Sequence, residues 1–172
     1  MATQFLLVDT NIISHALTPN QTLAYTKLFR ELEKEYKFVV TGFTQYELLC
    51  SSNRERQQKI IDYVRDDMNY VALTQPLMDF AARVHNLYKV HESTKGLKIS
   101  AGDIINAAFC IAKGNCSLIS IDNNDYPRPF FEEVARKRIT YDSGKNKEVT
   151  DTLYILKPDT ENIKSSCDRH KQ

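Results

Sequence analysis

Phe5-Leu6-Leu7-Val8-Asp9-Thr10-Asn11 is the stretch on which the reading of this chain turns. Four apolar residues, too few for a buried helix, stop at a carboxylate and two further polar residues. Such a run fits a strand buried on both faces, whose carboxyl end opens into a polar turn and then a helix. In open α/β sheets that edge is where ligands bind. The fold and the function therefore depend on which other side chains reach the same edge.

Working outward, Pro19-Asn20 marks a break, and Thr22 is placed to cap a helix that runs to about Lys34 with Leu28, Phe29 and Leu32 on one face. Phe38-Val39-Val40 reads as a second buried strand, ended by Thr41-Gly42, before a helix that starts near Thr44 and carries Glu47 in its first turn. Ile60, Ile61, Val64 and Met68 give the charged segment from Arg54 to Asp67 a helical period, with Arg54, Arg56 and Lys59 as its solvated exterior. A short strand is expected at Tyr70–Leu73, then a helix opened by Pro76 with a core stripe from Leu77 to Tyr88. His91 to Lys98 is a polar loop leading into Ser100-Ala101-Gly102-Asp103 and a helix apolar on most sides that ends at Gly114-Asn115. Ser117–Ile121 is a strand that again ends in acid, Asp122-Asn123-Asn124-Asp125. A short helix to about Lys137 is expected after Phe130-Phe131. Residues 138–142 and 152–156 then read as strands of a peripheral hairpin around Ser143-Gly144-Lys145-Asn146, followed by a polar, disordered tail from Asp159.

At 172 residues and 42% hydrophobic content, the chain fits one well-buried core. Twenty-three Lys and Arg against 22 Asp and Glu give a net charge of +1, so any polyanion has to be held by local groups. Cys50, Cys110, Cys116 and Cys167 form no Cys-x-x-Cys pair, which suits a reduced cytoplasmic protein. No signal sequence and no apolar run of membrane-spanning length is apparent. His15, His85, His91 and His170 lack metal-ligand spacing, and no glycine-rich phosphate loop is present.

Alternating strands and helices indicate a parallel α/β sheet with right-handed crossovers, so successive strand ends share one edge. Asp9 and Asp122 follow strands, Glu47 and Asp103 lie in the helices that come next, and Asp125 is close to Asp122. Each acid alone has an ordinary use as a cap or turn residue, worth about 1 kcal/mol: Thr44-x-x-Glu47 and Ser100-x-x-Asp103 both resemble capping boxes. Capping does not require that they converge. Two carboxylates about 4 Å apart repel by roughly 4 kcal/mol at an effective dielectric near 20. Either basic side chains arrive from elsewhere or the acids hold a divalent cation, for which all-oxygen ligation suits Mg²⁺ or Mn²⁺. Thr10, Asn11, Ser120 and Asn124 stand beside the acids and are candidates to orient them.

Taken in order, the motifs Leu7-Val8-Asp9-Thr10-Asn11, Thr44-Gln45-Tyr46-Glu47-Leu48, Gly102-Asp103-Ile104-Ile105-Asn106-Ala107-Ala108 and Ser120-Ile121-Asp122-Asn123-Asn124-Asp125-Tyr126 resemble those of the PIN-domain family. The resemblance spans about Phe5 to Val134. The last motif is one residue longer between its acids than the family's tight form, so Asp122 and Asp125 both stand as the fourth acid. The resemblance implies a three-layer α/β/α fold with a central, mostly parallel sheet, a PIN-like nuclease domain over 1–142 and a C-terminal extension over 143–172. It further implies a metal-dependent endoribonuclease, with Asp9, Glu47, Asp103 and Asp122 catalytic and Asp9, Asp103, Asp122 and Asp125 holding Mg²⁺ or Mn²⁺. Lys95, Lys98 and Arg128 are candidates to grip RNA. Small members resembling this chain are toxin ribonucleases that form homodimers and are inhibited by a cognate antitoxin. Two rival readings are a non-catalytic PIN-like binding module and a haloacid-dehalogenase-like phosphatase. The phosphatase chemistry needs a general acid two residues after Asp9, where this chain has Asn11.

Overall fold

The computed structural model describes residues 3–143 and 147–169, with the side chains of 167–169 excepted. The expected turn at 144–146 and His170 lie outside the described residues. Among those described there are six strands and seven helices. β1 (Gln4–Val8) is central, flanked in parallel by β2 (Tyr36–Thr41) and β4 (Cys116–Ser120), and β3 (Asn69–Val71) pairs in parallel with β2. Two antiparallel strands, β5 (Phe131–Asp142) and β6 (Glu148–Pro158), complete the order β3-β2-β1-β4-β6-β5. The sheet is mixed and mostly parallel, as the alternation of elements predicts.

Alternation along the strands sorts the core into two layers. Leu7, Val39, Leu118 and Leu156 face α5 (Gln75–Val90), α6 (Ala101–Lys113) and Ile163 of α7 (Thr160–Arg169). Leu6, Val8, Val40, Ile119 and Ile155 face α1 (Thr10–Ala16), α2 (Pro19–Leu32), Leu48 of α3 (Gly42–Cys50) and α4 (Arg54–Asp67). The result is α/β/α, with helices on both faces. No described helix is long and apolar enough to cross a membrane.

Four expectations are corrected. α2 has Thr18 at its N-cap position, without a side-chain capping bond, and opens on Pro19, not at Thr22, because proline suits the first helical position. The segment after Phe131 is strand, not helix. The hairpin expected at the periphery is part of the sheet, with β6 hydrogen-bonded between β4 and β5. The expected disordered tail carries α7, whose Ile163 is buried. Cys50 is exposed, whereas Cys110 and Cys116 are buried.

A polar cluster ties the hairpin to the first helix. Asp151 of β6 accepts a hydrogen bond from Tyr25 (2.9 Å) and lies 3.0 Å from Nδ1 of His15. His15, without metal-ligand spacing in the sequence, thus serves a packing contact.

Candidate active site

The carboxyl edge of the parallel strands opens into a cavity of about 450 Å³. Its described walls carry four carboxylates, Asp9, Glu47, Asp103 and Asp125, and no lysine or arginine. The four come from four segments: the end of β1, α3, the first turn of α6 and the loop after β4.

Asp9 caps α1 and is 4% exposed. Its Oδ1 accepts the Thr10 amide (2.8 Å), and its Oδ2 accepts the Ser120 hydroxyl (2.7 Å) and the Asn11 amide (3.1 Å). Asn11 also donates to Ser120 Oγ (3.1 Å) and accepts the Ile121 amide (3.4 Å), which braces β1 against β4. Burial pushes the Asp9 carboxyl up to about 6; the charges of Asp103 and Glu47 push the same way, against the hydrogen bonds from Ser120 and Thr10.

Glu47 is not a capping residue. α3 begins at Gly42, and its N-cap is Thr41, whose hydroxyl accepts the Thr44 amide (3.3 Å), so Glu47 sits in the second turn. Freed from the cap, Glu47 Oε2 accepts the Thr10 hydroxyl (2.7 Å). Asp103 does serve in a capping box: its Oδ2 accepts the Ser100 amide (3.2 Å) and hydroxyl (2.6 Å). Its Oδ1 accepts the Tyr126 hydroxyl (3.3 Å). One carboxylate thus anchors its helix and lines the cavity.

The last motif separates its two acids. Asp122 closes an Asx turn, with Oδ1 accepting both the backbone and side-chain amides of Asn124 (2.9 Å each). It does not line the cavity, whereas Asp125 does. Burial, followed by the charges of Asp103, Asp122 and Asp9, pushes Asp125 up to about 6. Asn124 therefore supports the turn around Asp122, while Thr10, Asn11 and Ser120 orient carboxylates within the cavity.

Lys95 and Lys98 are exposed on the loop before α6, and Arg128 borders a separate cavity of about 350 Å³ with Pro129, Glu132 and Asp159. None of the three enters the acidic walls. Residues not singled out in the sequence do contribute. Tyr126, 1% exposed, meets Asp103; Asn106, 1% exposed, accepts the hydroxyls of Thr41 (2.9 Å) and Thr44 (3.4 Å) and so joins α6 to α3. An asparagine three residues after Asp103, inside an otherwise apolar helix face, was the available signal. Arg56, read as a helix exterior, is half-buried and reaches Ser14 in the cavity wall.

Among the described residues, no group of three His, Cys, Asp or Glu side chains is arranged to hold a metal ion. Asp9 and Asp103 are instead turned toward hydroxyl and amide donors.

The family model described as PIN domain matches residues 6–137. No curated protein matches the chain in sequence. Among solved structures, the chain is similar to VapBC2 from Rickettsia felis bound to a DNA fragment from their promoter (18% identity, TM-score 0.57, 71% of this chain and 90% of that one). It is also similar to FitAcB from Neisseria gonorrhoeae (17%, 0.52, 71% and 91%) and to FitAB bound to an IR36 DNA fragment (18%, 0.52, 71% and 88%).

Proposed function

Because the chain belongs to the PIN domain family, we propose that it is a metal-dependent endoribonuclease hydrolysing RNA phosphodiester bonds, the toxin of a toxin–antitoxin pair. The observation that carries this reading is the convergence of Asp9, Glu47, Asp103 and Asp125 on one cavity whose described walls hold no basic residue. By donor chemistry the set suits a hard divalent cation, four carboxylates with no competing thiol or imidazole in the walls, and to ligate it Asp9 and Asp103 would turn from the hydroxyl and amide donors they now face. Asp9, Asp103 and Asp125 would hold Mg²⁺ or Mn²⁺, with Asp122 supporting the turn that presents Asp125. When bound, such an ion offsets charge on the phosphate and lowers the pKa of water.

The chain's own residues supply orientation and proton transfer. Thr10 holds Glu47 through Oε2, which leaves Oε1 to accept the proton of an attacking water. Ser120 and Asn11 fix Asp9, and Ser100 and Tyr126 fix Asp103. Burial and the nearby acids push the Tyr126 phenol well above its ordinary range, so it remains a donor. The Asn11 amide is not acidic enough to protonate a leaving group, which weighs against phosphomonoester chemistry.

Gly102 tests the placement of Glu47. A Cβ there would lie 3.1 Å from both Glu47 carboxylate oxygens and 3.1 Å from the Phe43 ring. Gly102→Ala is expected to change stability by less than about 1 kcal/mol while lowering RNA cleavage roughly tenfold, because Glu47 must shift. Full activity with alanine would show that the close approach of Gly102 does not set the position of Glu47 in the chemistry.

The partner reading rests on the motif resemblance to small toxin ribonucleases, and the solved structures VapBC2 and FitAB, each bound to a DNA fragment, suit it. In the cytoplasm of a bacterium, expression of the chain alone is expected to arrest growth, and Asp103→Asn is expected to relieve the arrest. Growth unaffected by the wild-type chain would remove the toxin role. A homodimer is the expected assembly, and sedimentation at the mass of a monomer would contradict it.

A further inference from the structure

Arg56 is the basic group that the proposed chemistry leaves unused. It lies in the first turn of α4, where Asn53 caps the helix by accepting the Arg56 amide (3.0 Å). Ile60, one turn on, is fully buried, so the Arg56 stem follows the inward face of α4 toward α1. There Nη2 donates to Ser14 Oγ (3.1 Å) and to the Ser14 carbonyl (3.3 Å). The buried Nε has no hydrogen-bond partner, and no described carboxylate forms an ion pair with this guanidinium. The adjacent acid, Glu55, is taken by Lys59 at 2.7 Å.

A half-buried guanidinium facing only neutral oxygens carries a desolvation cost that no local acid offsets. Its position gives that charge a use. Ser14 is one helical turn beyond Thr10 and Asn11 and lines the same cavity, as do Leu48 and Ser51. A cavity walled by four carboxylates repels a polyanion on either side of the reacting phosphate, so the flanking backbone needs a cation at the rim. We propose that Arg56, steadied by Ser14, binds a phosphodiester of single-stranded RNA next to the one held in the acidic cavity. The inference rests on the nuclease reading. It assigns the substrate's neighbouring phosphate to the Nη1 end of the guanidinium, since Nη2 is held by Ser14 and Nε is buried.

The test is binding of a fluorescein-labelled 12-nucleotide single-stranded RNA to Glu47→Gln protein in Mn²⁺, with and without Arg56→Met, across a salt series. The expected result is about tenfold weaker binding and a log–log salt slope smaller by about 0.7, the value for one lost phosphate contact. Arg56→Lys should keep the slope and part of the affinity. Equal affinity and slope in Arg56→Met, or no RNA binding by either protein, would overturn the proposal. Should Arg56→Met fail to fold, Ser14→Ala serves instead: about threefold weaker binding supports the contact, and unchanged binding overturns it. Cleavage by the wild-type protein reports on the nuclease reading separately. If Arg56→Met weakens binding but the wild type does not cleave, the phosphate contact stands and the nuclease reading falls.

Discussion

In EDTA at pH 7.5, Asp9→Asn should be more stable than the wild type by about 1–2 kcal/mol, and in Mn²⁺ it should lose RNA cleavage by roughly 10³-fold or more. The two effects have one origin. Asp9 is 4% exposed, and burial pushes its carboxyl from the ordinary 3.8 up to about 6. A group whose folded pKa is raised binds its proton more tightly when folded. Its contribution to stability is therefore complete below about pH 4, declines as pH rises toward 6, and is gone above that. Holding Asp9 ionised at pH 7.5 costs on the order of 2–3 kcal/mol, and an amide recovers part of this while keeping the Thr10 amide as a donor. Thermal melts of both proteins between pH 4 and pH 8 in EDTA check the claim. The wild type should lose stability through that interval and Asp9→Asn should lose roughly half as much, because Asp125, also raised to about 6, still titrates there; parallel curves would mean that Asp9 is not strained by its surroundings.

A chain ending at Asp142 should not fold, although the family match ends at residue 137. β6 lies between β4 and β5, pairing Leu118 with Leu156, Ile119 with Ile155 and Ser120 with Tyr154. Its Leu153, Ile155 and Leu156 are 0–3% exposed. Burying three such side chains contributes roughly 5–9 kcal/mol, comparable to the whole stability of an ordinary domain of about 5–15 kcal/mol. Removal also opens the edge of β4, the strand that carries Ser120, and strips the Asp151 partner from Tyr25 and His15. The expected outcome is loss of a cooperative melting transition in the shortened chain, and in the full chain a cost of about 2–5 kcal/mol for Leu153→Ala. A cooperative melt of residues 1–142 within a few degrees of the full chain would show that β6 is dispensable.

The parallel half of the fold was legible because its strands are buried on both faces and read as apolar runs, each stopped by a polar residue. β5 was not. Phe130, Phe131 and Val134 have helical spacing, and the outward positions of Glu132, Arg136 and Arg138 alternate with half-buried Glu133, Ala135 and Lys137, so the apolar alternation of a strand is weak. Nor does local sequence say that a hairpin's second strand will lodge beside β4, since strand order is a tertiary choice. In the site, Asp9, Glu47 and Asp103 were identifiable from their places after strands or near helix starts. The choice between Asp122 and Asp125 was not, because it depends on which carboxylate the Asx turn with Asn124 consumes. Arg56 was hidden by its neighbours: Arg54, Glu55 and Lys59 make the segment look like any charged helix surface, and only the contact with Ser14 sets it apart.

The central claim is that RNA is cut at the cavity formed by Asp9, Glu47, Asp103 and Asp125. Its most direct test is Mn²⁺-dependent cleavage of a structured RNA by the wild-type protein beside Asp125→Asn and Asp122→Asn, purified identically and repeated in EDTA. The account predicts cleavage by the wild type and by Asp122→Asn, and none in EDTA or by Asp125→Asn. An inactive wild type, or an Asp125→Asn protein that cuts as well as the wild type, would contradict it.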